Sequence, residues 1–286
     1  MKRTLGCLAA ALTLGAVTAN AQTVSIGTTR TGTLNNNMGV AIGTLLHRHA
    51  KVQTRVTPYS GTEQFVPLVN AGEADLAIPS ATDAYFAYKG EEVYDKRPNQ
   101  NLRAVATLFP LFLSVMVKDS SGIKGVPDLK GRTVSLGYTN HAQARRYFRG
   151  ILASWGISES DLKGNTVPHV IAGVRDLMQG KTDATMFAVG VPKNAEIQAK
   201  VGTIRFLNAN HSPEGIARLR KFVPTADVLQ MKPKKGRIGI IEPTYLLAER
   251  YMVVTNAKVS DKVIYDLAKL FYEKQKEFVA IVPIFR

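Results

Sequence analysis

The segment Thr28-Thr29-Arg30-Thr31-Gly32-Thr33 places hydroxyls and one guanidinium in a short loop behind a strand-like stretch. A loop of this kind, set at the start of a helix, exposes backbone N–H groups that favour an anion. A planar arginine fork there can pair with a carboxylate through two parallel hydrogen bonds. Ser60-Gly61-Thr62 opens a second helix-like segment, Ser80 follows a further strand, and Tyr138-Thr139-Asn140 lead into another helix. Thr28, Thr29, Arg30, Thr31, Ser60, Gly61, Thr62, Ser80, Tyr138, Thr139 and Asn140 are therefore the candidate ligand-binding residues. The chemistry they suit is capture of a small organic anion, with Arg30 reading its carboxylate.

The same inspection finds little that would break a bond. There is no Gly-x-Ser-x-Gly elbow, no HExxH and no CxxC. His47 and His49 are two residues apart and so point to different sides of a helix, which suits no metal. Gly180-Lys181-Thr182 ends a helix where a phosphate loop would open one, and Arg175 stands in place of the required first glycine. No catalytic residue, metal site or cofactor is expected. A lyase or dehydratase reading would need an acid–base pair, for which Glu63 and His141 are the best nominees.

The elements that must position these loops alternate between strand and helix. Val24–Gly27 reads as a strand, and Met38, Ile42, Leu45 and Leu46 then fall on one helical face. Val52, Thr54 and Val56 alternate with polar residues as a half-buried strand. Phe65, Val66, Leu68 and Val69 mark the next helix, which Gly72 ends. Asp75–Ile78 is a further strand. This succession indicates an α/β fold with a mostly parallel sheet.

The plan recurs. Val24-Ser25-Ile26-Gly27-Thr28 has a counterpart in Val134-Ser135-Leu136-Gly137-Tyr138-Thr139, 110 positions later, and Gly72-Glu73-Ala74-Asp75 has one in Gly180-Lys181-Thr182-Asp183, 108 positions later. Two similar lobes are expected: residues 22–117 as lobe I, 118–244 as lobe II, and 245–286 returning to lobe I. Strand-like Leu108–Val117 leaves the first lobe and Tyr245–Val254 re-enters it. Two crossing strands would then form a hinge. Ser260 begins a long helix with Val263, Leu267, Leu270 and Phe271 on one side.

The chain of 286 residues begins as an export signal does. Lys2 and Arg3 precede an apolar run from Leu5 to Val17, and Ala19-Asn20-Ala21 is a cleavage site, which predicts cleavage after Ala21 and a periplasmic protein. The run is shorter than the ~20 residues a spanning helix needs. The one cysteine, Cys7, lies inside this segment, so the exported chain has no disulfide. Net charge is +15. Export and the absence of basic–aromatic interleaving argue against nucleic acid as the partner, and the Lys232–Arg237 cluster reads as a solvated loop. A monomer is expected.

Together these segments resemble the TAXI family of solute-binding proteins that serve TRAP transporters. The resemblance rests on Ile26-Gly27-Thr28-Thr29-Arg30-Thr31-Gly32, on Pro58 to Thr62 and Val69 to Asp75, on Asn101 to Ala106 and on Asp128 to Arg132. It implies a two-lobed type II periplasmic-binding-protein fold, with its lobes joined by two crossing strands, and delivery of the captured anion to TRAP membrane permease subunits. Thr29, Arg30 and Thr33 stand where many members have glycines, and Asn35-Asn36 where they have a tyrosine pair. Relatives also continue beyond Phe285-Arg286, so a C-terminal truncation is expected. Presentation of ligand to a membrane sensor is the alternative role.

Overall fold

The computed structural model describes residues 23–282. The export signal, its cleavage site, Cys7 and the last four residues lie outside the described residues. Strand β1 (Val24–Thr29) leads into helix α1 (Leu34–Ala50), which buries Met38, Ile42, Leu45 and Leu46 as their spacing predicts. Strand β2 (Thr54–Tyr59) begins two residues later than its alternation suggested. The reason is the end of α1. Lys51 takes a left-handed conformation with φ 57°, and the amides of Lys51 and Val52 both donate to the Leu46 carbonyl. Those residues close the helix instead of extending the strand.

Helix α2 (Thr62–Ala71), strand β3 (Leu76–Ala77) and helix α3 (Ala81–Lys89) complete the first unit. Strand β4 (Leu102–Lys118) is 17 residues long and passes into the second unit. There β5 (Thr133–Gly137), α4 (Ala142–Ser154), β6 (Lys163–Val167), α5 (Val170–Met178) and β7 (Ala184–Ala188) repeat the first plan. Helix α6 (Lys193–Val201), β8 (Ile204–Phe206), α7 (Pro213–Arg220) and β9 (Asp227–Met231) follow. Strand β10 (Thr244–Asn256) crosses back, and α8 (Asp261–Glu273) and α9 (Gln275–Ile281) end the described chain. The terminal helix is thus two helices. Phe278 of α9 turns in to meet Phe109 and Phe271, with ring centroids 6.1 and 5.8 Å away.

The strands run in the order β2-β1-β3-β10-β4-β7-β5-β6, with β8 on β4 and β9 on β10. β1 is parallel to β2 and β3, and β5 is parallel to β6 and β7. The long strands β4 and β10 are antiparallel to each other and lie between the two parallel groups. Two lobes joined by two crossing strands is the observed architecture.

The repeat is physical as well as textual. Asp75 accepts from the Ser25 backbone amide at 2.7 Å and returns its own amide to the Ser25 carbonyl. Asp183 does the same with Thr133, its carboxylate accepting at 3.0 Å. Both pairs are 50 residues apart in sequence. The Gly-x-x-Asp turn therefore ties the strand that follows it to the start of the neighbouring parallel strand. This contact aligns Ser25 with Thr133, so the strand copies match two residues earlier than the sequence pattern placed them. A two-residue slip preserves which face each side chain takes. It changes what occupies the loop: Gly27-Thr28-Thr29 corresponds to Ser135-Leu136-Gly137, and Tyr138 already lies in the turn.

Candidate functional site

The crossing strands bring three groups of residues around one narrow cavity with an interior volume of about 50 Å³. Lobe I contributes Thr29, Thr33 and Leu34 from the β1–α1 junction. The crossing strands contribute Leu111, Leu113 and Tyr251. Lobe II contributes His141, Gln143, Ala144 and Tyr147 from α4, Val170 from α5, and Met186, Phe187 and Ala188 from β7. Its place between the lobes, with an apolar lining and a few polar groups, is where small ligands usually bind. Tyr251 faces inward with Glu249 and Val253 by strand alternation; beside it β4 carries one extra residue, since Arg250 pairs with Pro110 but Met252 with Thr107.

The first loop is held by its own polar groups. Thr33 caps α1, its hydroxyl accepting from the Asn36 amide and donating to the Arg30 carbonyl at 2.7 Å. Thr29 and Thr33 hydroxyls are 2.8 Å apart. Asn35 accepts from the Thr29 amide and donates to the Ile78 carbonyl, and Asn36 donates to the Thr28 hydroxyl at 3.0 Å. Both asparagines are buried. They fasten the first turn of α1 to β1 and to the end of β3, which a purely local reading of the loop does not reveal.

Of the eleven sequence-derived candidates, Thr29 lines the cavity directly. Thr28 lies fully buried behind it on Asn36. Arg30 and Thr31 are exposed, and the Arg30 guanidinium donates to the Ser60 hydroxyl at 2.8 Å. Gly61 caps α2, and a Cβ there would run into the Glu63 carboxylate. Thr62 donates to Asp83 at 2.7 Å. Ser80 caps α3 and bridges to Tyr251, so it stands beside the cavity wall. Tyr138 is fully buried with φ 42°; its hydroxyl donates to the Ser135 carbonyl and accepts from the Met186 amide. It is a core residue of lobe II and does not line the cavity. Thr139 and Asn140 are exposed, and their amides donate to the Val167 and Pro168 carbonyls.

Among the polar cavity residues, His141 at the start of α4 was nominated from the sequence, whereas Gln143 and Tyr147 within the helix were not. Gln143 and Tyr147 are four residues apart and share a face. His141, Gln143 and Tyr147 are 5 %, 3 % and 2 % exposed. Gln143 stands within hydrogen-bonding reach of His141, and the Tyr147 hydroxyl within reach of Ser80.

Charge is arranged around the cavity rather than on its wall. Burial, then the nearby His169, lowers the pKa of His141 to about 4. His169 is itself lowered, by burial first and then by Arg30 and Arg175. The α4 N-terminus already faces an anion: Oε1 of Glu63, on α2, accepts from the Ala142 amide at 3.3 Å. Glu63 and His141, nominated as an acid–base pair, are thus brought close, with the carboxylate aimed at the helix end. Behind the cavity Arg146 of α4 pairs with Asp83 of α3 and lies over the Phe86 ring at 5.2 Å. Glu249 of β10 is fully buried, its Oε1 accepting from the Thr82 amide and the Thr225 hydroxyl. Burial raises its pKa. Among the described residues no group of three His, Cys, Asp or Glu is placed to hold a metal ion. No helix among them is long and apolar enough to cross a membrane.

Solved structures of similar fold include binding proteins. The substrate-binding protein of an amino acid ABC transporter superposes with TM-score 0.52 at 14 % identity, covering 92 % of this chain and 99 % of that one. An arginine-, lysine- and histidine-binding protein from Geobacillus stearothermophilus gives 0.52 at 13 %, covering 91 % and 93 %. The periplasmic aliphatic sulphonate-binding protein of Escherichia coli gives 0.50 at 14 %, covering 92 % and 78 %. At such identities the likeness establishes the type II periplasmic-binding fold. The model of the NMT1-like family matches residues 26–286, so this chain belongs to the NMT1-like family.

Proposed function

We propose that this protein is an exported solute-binding protein, without catalysis of its own, that captures a small organic anion between its lobes and delivers it to a TRAP-type membrane transporter. The observation that carries this reading is the cavity walled by both lobes and by both crossing strands. A ligand there touches every part that must move for the lobes to open, so its binding energy favours the closed form. Residues 22–117 and 245–286 would move as lobe I against 118–244 as lobe II.

The anion reading is supported by positive charge: Arg30 in the first loop lies near enough to His169 to lower its pKa, and the chain carries a net charge of +15. The TAXI assignment and the TRAP partner rest on the sequence resemblance, and the periplasm on the export signal. Mass spectrometry of small molecules released from protein purified from its native host tests the reading. An organic acid at about one per chain is the expected result. Neutral or cationic solutes alone would overturn it.

A further inference from the structure

We propose that the protein carries a second anion site, on the flank of α4 turned away from the cavity between the lobes, which takes a phosphate-type oxyanion: a tetrahedral group with more than one negative charge. The site goes beyond the organic-anion reading above and does not depend on it.

The first ground is a separate pocket with an interior volume of about 200 Å³. Arg145, Arg146 and Arg149 of α4 and Lys221 at the end of α7 line it, with Glu92 on the lobe I side. It shares no lining residue with the cavity between the lobes, to which α4 presents Gln143, Ala144 and Tyr147. Arg218 fixes the end of α7 against α4 by donating to the Ala153 and Ser154 carbonyls at 3.0 and 2.8 Å, and so brings Lys221 to the arginines.

The second ground is the charge on the lining, four cations against one carboxylate. Two of the cations are matched from behind: Arg146 pairs with Asp83, and Nε of Arg149 donates to Glu159 at 2.7 Å. Among the described residues Arg145, Lys221 and Glu92 form no ion pair. Like charges one helical turn apart, as Arg145 and Arg149 are, repel each other. An anion held between them removes that repulsion.

The third ground is the shape of the donor set. A guanidinium fork engages two oxygens of a phosphate, and a lysine ammonium adds a point charge from another direction. Donors converging from two helices therefore match oxygens disposed tetrahedrally. A monocarboxylate offers two coplanar oxygens and one charge, and leaves part of the lining unmet.

The test is calorimetric titration of the full chain with inorganic phosphate at constant ionic strength, with acetate as the monovalent comparison. The parent should bind one phosphate per chain at millimolar concentrations or below, and acetate more weakly. Arg145→Gln and Lys221→Gln should each weaken phosphate binding about tenfold, as loss of one charge-assisted hydrogen bond does. Glu92→Gln should strengthen it, and Lys232→Gln, in the distant basic loop, should leave it unchanged. Without phosphate all four should melt as the parent does, since Arg145, Lys221 and Glu92 have no ion pair to lose. Glycerol 3-phosphate, titrated alongside, should bind through the same residues; tighter binding than inorganic phosphate would identify a phosphate ester as the occupant. If the parent binds no phosphate, or if the Arg145→Gln/Lys221→Gln double variant binds it as the parent does, the inference is wrong while organic-anion capture between the lobes stands.

Discussion

Asp83 on α3 and Arg146 on α4 form an ion pair that joins the two lobes behind the cavity, with side chains 1 % and 8 % exposed. Thr62 donates to the other carboxylate oxygen of Asp83, and the guanidinium lies over Phe86. Such a pair is no strong argument for stability, because taking both charges from water offsets much of their attraction. Breaking it is another matter.

Asp83→Ala or Arg146→Met alone should destabilise the protein by about 3–5 kcal/mol, because each leaves a buried charge unpaired. The double variant should recover much of that loss. Urea denaturation of the four proteins forms a double-mutant cycle. Additive losses would show that the two residues do not act together.

Ligand affinity should depend on Arg30 and on the residue that orients it. Arg30→Ala should weaken binding of a carboxylate ligand by roughly tenfold to a hundredfold, since a charge-assisted hydrogen bond is worth ~1.5–3 kcal/mol. Ser60→Ala, which frees the guanidinium, should have a smaller effect in the same direction. Lys232→Ala, in the exposed basic loop, should leave affinity unchanged. Calorimetric titration with the tightest acid of a thermal-shift screen decides. An Arg30→Ala protein that binds as the parent does would remove Arg30 from the site.

Stability should fall in acid because of His141. Its pKa is 6.5 in the unfolded chain and about 4 in the folded protein, where burial and then His169 oppose its charge. The unfolded state therefore binds the extra proton first. The stabilisation is complete above pH 6.5, is lost as pH falls toward 4, and changes no further below that. The loss is on the order of 3 kcal/mol. His141→Gln should flatten this part of the profile, measured as denaturation midpoints across that range. A parallel profile would mean His141 is not the group responsible.

Closure itself should be visible in solution. Small-angle scattering should show a smaller radius of gyration when the parent is saturated with ligand, as the lobes swing about β4 and β10. Glu63→Ala, which removes the acceptor at the α4 N-terminus, should leave the ligand-free molecule more open than the parent. An unchanged radius on saturation would count against hinged capture.

Much of this protein was already determined by its sequence, because the relevant forces are local. The apolar spacing of Met38, Ile42, Leu45 and Leu46 fixes the buried face of α1. Gly72, with φ 83°, ends α2 for want of a Cβ. The two Gly-x-x-Asp turns declare a doubled plan, and long apolar stretches mark β4 and β10 as the connections. What the sequence did not reveal depends on contacts between distant residues. Nothing local tells that Asn35 and Asn36 hold the first loop, that Tyr138 turns inward to Ser135 and Met186, or that Glu63 crosses from α2 to the start of α4. The cavity wall is likewise a tertiary product. Gln143 and Tyr147 read as ordinary residues of an amphipathic helix until the crossing strands place that face against lobe I. Only then do these buried polar side chains line a cavity between the lobes.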